Sequence, residues 1–194
     1  GAPRSRKTAA LQLGVLRIAL LALAGLSAGA YLWTPARLSL IYALGRGIAG
    51  YHLATKNGQY DLVAGLPAER ISGKTLGIIG YGRIGMELGK RAAAFGMNVV
   101  AYDPLISEEV IKQRGAEPVS IQDLYAWSDF ISLHLPLNVQ TRDMMGAQAF
   151  SEMKDGVRIV CAARGGIIDE TELVKALNSG KVAGAALDVF SAEP

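Results

Sequence analysis

Three glycines near residue 80 are spaced as in the turns that bind the pyrophosphate of a dinucleotide. The stretch 80–85 reads G-Y-G-R-I-G, follows a predicted strand and opens a predicted helix. The first glycine allows the tight turn, the second lets the phosphates approach the backbone, and the third lets helix and strand pack closely. N–H groups at the helix start then face the anion. Arg83 either pairs with the pyrophosphate or simply covers the helix surface.

An acidic residue follows at the distance that dinucleotide binding requires. Asp103 stands 18 residues past Gly85, at the end of the next predicted strand. A carboxylate there can accept hydrogen bonds from both adenosine ribose hydroxyls and would repel a 2′-phosphate. The pair therefore predicts NAD rather than NADP as the cofactor. The alternative is that Asp103 only forms a turn with Pro104.

The elements that must position these residues alternate regularly along the chain. Leu40, Ile41, Leu44 and Ile48 recur at helical spacing, which predicts an amphipathic helix. Asn57-Gly58 then predicts a turn before the first strand. Apolar runs predict strands at Thr75–Ile79, Val99–Tyr102, Phe130–Leu133, Val157–Cys161 and Val182–Leu187. Helices are predicted at Ile84–Phe95, Ser107–Arg114, Ile121–Ala126, Ala147–Met153 and Glu170–Ser179. Buried strands separated by such helices predict an α/β fold with a doubly wound parallel sheet, the Rossmann type.

Composition and charge exclude several classes of function. The single cysteine, Cys161, gives neither an internal disulfide nor a cysteine metal cluster, so we expect no metal and a reducing, cytoplasmic compartment. Of the 20 basic residues, seven lie in residues 1–60, which hold no Asp or Glu. The remainder carries 13 basic against 17 acidic side chains. The part that should fold is mildly acidic, which argues against a nucleic-acid partner.

Residues 1–38 form an apolar, basic leader that differs from the rest of the chain. Its uninterrupted apolar stretch, residues 18–33, is 16 residues long, short of the ~20 that span a bilayer. The leader fits a signal peptide, an organelle transit peptide, an apolar helix packed on a neighbour, or sequence foreign to the fold through a frame or fusion junction. A membrane span is the least favoured reading. We take residues 39–194 as the dinucleotide-binding domain and expect every binding residue beyond Ser72.

Several further segments resemble the D-2-hydroxyacid dehydrogenases, and specifically their NAD-binding domain. The resemblance runs from about Ser39 to Pro194. The segments that carry it are 73–80 (GKTLGIIG), 95–97 (FGM), 102–104 (YDP), 134–137 (HLPL) with Thr141, 163–170 (ARGGIIDE), 184–190 (GAALDVF) and Glu193-Pro194. Together these segments are highly specific for the family.

The resemblance implies roles for individual positions. Arg164 would bind the substrate's carboxylate and 2-oxo group, with Gly165-Gly166 letting a ligand come close. Asp188 would orient the nicotinamide carboxamide, and Glu193 would hydrogen-bond a catalytic histidine and raise its pKa. His134 would lie in the cofactor-side loop, a purely structural role being the alternative. The implied cofactor-binding set is Gly80, Gly82, Arg83, Ile84, Gly85, Asp103, His134, Pro136, Thr141, Ala162, Ala163, Arg164 and Asp188.

The implied activity is hydride transfer between NAD and the C2 hydroxyl of a small 2-hydroxy acid, in a homodimer when full-length. A non-catalytic NAD(H)-sensing module of the corepressor type is the alternative. Two features depart from the family pattern. The catalytic histidine belongs downstream of Pro194, and residues 1–38 do not resemble the family's substrate domain. We therefore expect this chain to bind NAD but to be inactive alone.

Overall fold

The computed structural model describes residues 15–16, 29–59 and 68–192, with side-chain detail from residue 35 onward. Helices and strands alternate along the chain. In order they are β1 (Val15–Leu16), α1 (Gly29–Gly45), α2 (Ile48–Lys56), β2 (Thr75–Ile79), α3 (Arg83–Ala94), β3 (Asn98–Tyr102), α4 (Glu108–Gln113), β4 (Glu117–Pro118), α5 (Ile121–Trp127), β5 (Phe130–Leu133), α6 (Ala147–Glu152), β6 (Val157–Cys161), α7 (Glu170–Asn178) and β7 (Val182–Leu187).

The strands form one parallel sheet in the order β1-β7-β6-β5-β2-β3-β4. Strands β3 and β4 lie on one side of β2 in the sheet, and β5, β6 and β7 lie in succession on its other side. The strand order therefore reverses between β2 and β5. In open α/β sheets, ligands bind outside the carboxyl ends of the strands at such a reversal.

The doubly wound parallel sheet predicted from the sequence is confirmed. β2, β5, β6 and β7 have the predicted bounds, and β3 begins one residue earlier than expected. The five predicted helices agree to within one residue at each end. The two-residue strands β1 and β4 were not predicted, because two residues are too few to show a period of alternation.

Helix α3 illustrates why the sequence folds in this way. Its buried positions are Gly85, Leu88, Gly89 and Ala92, which follow one another at spacings of three, one and three residues and so share one face. Two of the four are glycines because the helix lies very close to the strand and turn beneath it. A Cβ on Gly89 would stand 2.7 Å from the hydroxyl oxygen of the buried Tyr81. Close packing of α3 fixes where its N-terminus points.

One sequence prediction in the N-terminal helices is wrong. Leu40, Ile41 and Leu44 lie on α1, but Ile48 begins a separate helix and is 54% exposed. Helix α1 ends just before Gly47, because this residue has a φ of 61°, in the left-handed region that terminates helices. Helix α1 itself runs through residue 38 without interruption, and the boundary between leader and domain at residues 38 and 39 stays a prediction.

Most of the leader lies outside the described residues. Val15 and Leu16, the part that is described before α1, pair with Ala185 and Ala186 at the edge of the sheet. Within the described ranges, no helix has the length and apolar character needed to cross a bilayer.

Candidate cofactor site

The glycine turn after β2 has the geometry that pyrophosphate binding requires. Gly80 adopts a φ of 93°, which side chains rarely tolerate. A Cβ on Gly85 would collide with the carbonyl oxygen of Gly80, so only glycine lets α3 start this close to the turn. At Gly82, in contrast, a Cβ would have no neighbour within 4 Å. The middle glycine therefore borders open space at the N-terminus of α3, which fits a phosphate-sized group.

Helix α3 begins at Arg83, with Gly82 as its N-cap. No side chain caps this end, so the first backbone N–H groups face outward beside the open space at Gly82. The N-terminus of this 12-residue helix carries a partial positive charge. The exposed side chain of Arg83 and the partly buried side chain of Ile84 follow directly. Both predicted residues thus lie at the turn, in positions consistent with their assignment.

Asp103 joins the end of β3 to the glycine turn. One carboxylate oxygen accepts a hydrogen bond of 2.7 Å from the backbone N–H of Tyr81, and the other accepts one of 2.9 Å from that of Leu105. The bond from Tyr81 connects Asp103 to the glycine turn. The bond from Leu105 forms the local turn that was the alternative interpretation of Asp103. A carboxylate oxygen can accept more than one hydrogen bond. Asp103 therefore holds the turn and retains acceptor capacity for ribose hydroxyls.

His134 follows β5 and packs against the glycine turn from the other side of the reversal. A Cβ on Gly80 would stand 2.9 Å from the backbone carbon of His134. The Nε2 atom of His134 lies 2.9 Å from the hydroxyl oxygen of Ser132, and its Nδ1 atom is buried without a hydrogen-bond partner. Burial, with a smaller contribution from the positive charge of Arg37, lowers the pKa of His134 from 6.5 to about 3. The imidazole is therefore neutral at physiological pH.

Replacing His134 with Gln is expected to flatten the dependence of stability on pH. Below about pH 6.5 the imidazole is charged in the unfolded chain, but it stays neutral in the folded chain down to about pH 3. The unfolded state thus binds more protons in this window, so wild-type stability falls as the pH falls, by up to about 1.4 kcal/mol per pH unit from this group. Urea unfolding of wild type and variant between pH 7 and pH 5 measures the difference in slope.

The exposed His52 on α2 provides a matched control, because His52→Gln removes an imidazole far from any buried environment. Equal slopes for wild type and His134→Gln would show that His134 titrates in the folded chain as it does in the unfolded chain.

Pro136 and Thr141 shape the loop after His134. The Thr141 hydroxyl donates to the carbonyl oxygen of Pro136 at 2.6 Å and accepts from the backbone N–H of Asn138 at 2.9 Å. Thr141 is buried, whereas Pro136 is exposed. Thr141 thus holds the loop from inside, and Pro136 is the member of the pair that faces outward.

Arg164 lies three residues past the end of β6, on the loop that carries Ala162 and Ala163. Its side chain is exposed, and one guanidinium nitrogen donates to the carbonyl oxygen of Ala163 at 2.8 Å. A guanidinium has five N–H donors, so this bond leaves capacity to bind a carboxylate. Arg164 is therefore placed at the carboxyl edge of the sheet, after the strand that neighbours β5.

Gly165 has a structural task in addition to the one that the family resemblance implies. We expected it to let a ligand come close, but a Cβ at this position would collide with the carbonyl oxygen of Phe190. The loop after β6 packs backbone against backbone on the segment after β7, and glycine is required for that contact. Gly165 thereby helps to hold the Arg164 loop in place.

Asp188 immediately follows β7, and its backbone N–H donates to the carbonyl oxygen of Cys161 at 2.9 Å. The side chain is exposed at the same edge as the Ala162–Arg164 loop. The structure thus brings together residues from the ends of β2, β3, β5, β6 and β7. Glu193, the remaining predicted site residue, lies outside the described residues.

Arg37 is the site residue that the sequence reasoning missed. It is only 5% exposed, and its guanidinium donates to the carbonyl oxygen of Ala162 at 2.6 Å. It therefore reaches the site from α1, although we expected no binding residue before Ser72. Its spacing from Leu40, Ile41 and Leu44 does place Arg37 on the buried face of α1, although it does not show which partner the guanidinium meets.

Within the described ranges, no three or more His, Cys, Asp or Glu side chains lie together in a group that could hold a metal ion.

Comparison with known proteins identifies the family. Residues 38–194 match the profile of the D-isomer specific 2-hydroxyacid dehydrogenase, NAD binding domain. The chain belongs to this family. Its cofactor is accordingly NAD, and the open space at Gly82 together with the acceptor at Asp103 fits that dinucleotide.

Individual relatives agree with this assignment. D-3-phosphoglycerate dehydrogenase of Rattus norvegicus is 44% identical over 155 residues, which cover 80% of this chain and 29% of that protein. Hydroxypyruvate reductase of Thermotoga maritima is 46% identical over 157 residues, or 81% of this chain and 50% of the relative. The specific likeness to D-3-phosphoglycerate dehydrogenase, to which the sequence motifs also point, is thus confirmed. The chain spans only about a third to a half of the length of these relatives.

A solved structure supports the cofactor as well as the fold. D-lactate dehydrogenase from Aquifex aeolicus, determined in complex with NAD and lactic acid, superposes with a TM-score of 0.78 at 33% identity. The match covers 84% of this chain and 48% of that one.

Proposed function

We propose that the whole protein is an NAD-dependent oxidoreductase that interconverts a small 2-hydroxy acid and its 2-oxo acid. The observation that carries this proposal is the convergence of an open phosphate cradle at Gly82, a ribose acceptor at Asp103 and an exposed Arg164 at one edge of the sheet. Simple cofactor binding requires only the first two. A guanidinium beside the cofactor cradle adds the means to bind a carboxylate substrate.

In this proposal the cofactor lies across the carboxyl ends of the strands. The N–H groups at the start of α3 hold the pyrophosphate, and the carboxylate of Asp103 binds the adenosine ribose. The loops around His134, Ala162 and Asp188 hold the nicotinamide half of the cofactor. When bound, NAD supplies the hydride acceptor at its nicotinamide ring.

Arg164 binds the substrate carboxylate and polarises the 2-oxo group, in keeping with its planar array of donors. Glu193 raises the pKa of a histidine that exchanges the proton of the 2-hydroxyl group. Of the two histidines in these 194 residues, His134 is a poor candidate for that proton exchange, because its pKa of about 3 makes it a weak base. The relatives named above suggest 3-phosphoglycerate and hydroxypyruvate as the first substrates to assay in a full-length protein.

A comparison of cofactors tests the ribose assignment. NADP(H) is expected to bind at least tenfold more weakly than NAD(H), equivalent to about 1.4 kcal/mol, because its 2′-phosphate would approach the carboxylate of Asp103. Calorimetric titration of the wild-type chain with each cofactor measures this ratio. The wild type is preferable to an Asp103 variant, since Asp103 also holds the backbone of Tyr81 and Leu105. Equal affinities would remove Asp103 from the ribose site.

A further inference from the structure

Arg37 is a charged side chain buried beneath the proposed nicotinamide site. It is 5% exposed and donates a hydrogen bond of 2.6 Å to the carbonyl oxygen of Ala162, at the end of β6. Burying a guanidinium costs free energy unless it is paired with hydrogen-bond acceptors or an opposite charge. A cation in this place therefore needs a structural or functional reason.

The surroundings of Arg37 identify its electrostatic partner. Burial lowers the pKa of Arg37, while the nearby Asp188 and, to a lesser degree, Cys161 raise it. An arginine remains protonated in either case. Burial raises the pKa of the Cys161 thiol, which is therefore neutral, so Asp188 supplies the negative charge that faces Arg37. The charge of Arg37 also reaches the ring of His134.

These contacts connect one cation to three elements of the site. Arg37 donates a hydrogen bond to the backbone at Ala162, after β6. Its positive charge is attracted by the carboxylate of Asp188, after β7, and lowers the pKa of His134, after β5. Each of these positions lies at the carboxyl edge where the nicotinamide ring is proposed to bind. Whatever lies there therefore experiences the positive charge of Arg37.

We propose that Arg37 is a positioning residue that holds the backbone at Ala162 and, through its buried charge, shifts the cofactor preference of the site toward NADH and away from NAD⁺. The inference rests on the proposed function, since it requires the nicotinamide to bind beside Asp188. The oxidised nicotinamide ring carries a positive charge and the reduced ring is neutral. A fixed buried cation nearby penalises only the oxidised form, and its positive charge offsets part of the attraction that the carboxylate of Asp188 would otherwise exert on that form.

The test is the ratio of the dissociation constants of NAD⁺ and NADH, measured by calorimetry for the wild type and for variants of the same chain. Arg37→Met keeps the length of the side chain and removes its charge, so the ratio is expected to shift in favour of NAD⁺ by about tenfold. Arg37→Lys keeps the charge and should leave the ratio within about twofold of the wild type. Asp188→Asn removes the opposite charge, and its ratio should shift the other way, in favour of NADH.

The opposite signs of the two shifts separate an electrostatic role from a merely structural one, because general damage to the site would weaken both cofactors together. If Arg37→Met fails to fold, the double variant Arg37→Met/Asp188→Asn can be compared with Asp188→Asn alone. In that pair Asp188 is absent from both chains, so no carboxylate is left without its opposing charge, and the double variant should still favour NAD⁺ relative to its parent.

The outcomes distinguish this inference from the function on which it rests. Failure of the wild-type chain to bind either cofactor would contradict the proposed function itself. Binding by the wild type with an unchanged ratio in a folded Arg37→Met chain, or in the double variant relative to Asp188→Asn, would overturn the role of Arg37 alone.

Discussion

Replacing Gly82 with valine is expected to abolish NAD binding while the domain stays folded. The Cβ position at Gly82 is open, and its φ of −69° is accessible to any residue, so the folded chain can accept the side chain. Valine is a poorer helix N-cap than glycine, which costs at most about 1 kcal/mol. The same side chain would occupy the space that the pyrophosphate needs. We expect the dissociation constant for NADH to rise about 100-fold or more, equivalent to about 2.7 kcal/mol.

Gly85→Val is the matched comparison for this prediction. A Cβ on Gly85 collides with the carbonyl oxygen of Gly80, so this variant should lose stability as well as binding. Circular dichroism and thermal unfolding report the fold, and calorimetric titration with NADH reports binding. A Gly82→Val chain that binds NADH as tightly as the wild type would show that the phosphates lie elsewhere.

The second large effect concerns catalysis. We expect the 194-residue chain to show no substantial oxidation of 3-phosphoglycerate or other D-2-hydroxyacids, even when saturated with NAD. Its histidines are His52, exposed on α2, and His134, which burial keeps neutral with a pKa of about 3. A general base works best when its pKa lies near the working pH, and such catalysis contributes about 10²–10⁴-fold in rate. Positioning contributed by the rest of a full-length enzyme adds to that loss.

Steady-state formation of NADH by the purified chain measures this turnover. His52→Gln serves as the internal control, since it should not change whatever residual rate is found, and His134→Gln shows whether His134 contributes to that rate. Turnover near ~10 s⁻¹, a typical enzyme value, that disappears in one of these variants would identify that histidine as the proton acceptor and contradict the account.

The parts of the site that the sequence could predict are those in which backbone geometry dictates the residue type. The turn at Gly80–Gly85 requires glycine at fixed places, and Asp103 follows at the end of the next strand, so their spacing alone indicates a dinucleotide. The bounds of the strands could be predicted as well, because β2, β5 and β6 are short apolar runs between clear turns.

The parts that the sequence could not predict depend on contacts between distant segments. Arg37 and Ala162 are 125 residues apart in the chain, and no local pattern shows that a guanidinium on α1 meets the end of β6. The close contact of Gly165 with the carbonyl oxygen of Phe190 could not be predicted either, because Phe190 belongs to another loop.

A crystal structure of this chain with NADH bound would show directly whether the dinucleotide binds at the carboxyl edge of the sheet. We expect NADH to bind with its pyrophosphate over Gly82 against the first N–H groups of α3, an adenosine ribose hydroxyl within hydrogen-bond distance of Asp103, and the nicotinamide beside Asp188. A dinucleotide bound anywhere other than the carboxyl edge between β2 and β5, or phosphates that avoid the turn at Gly82, would contradict it.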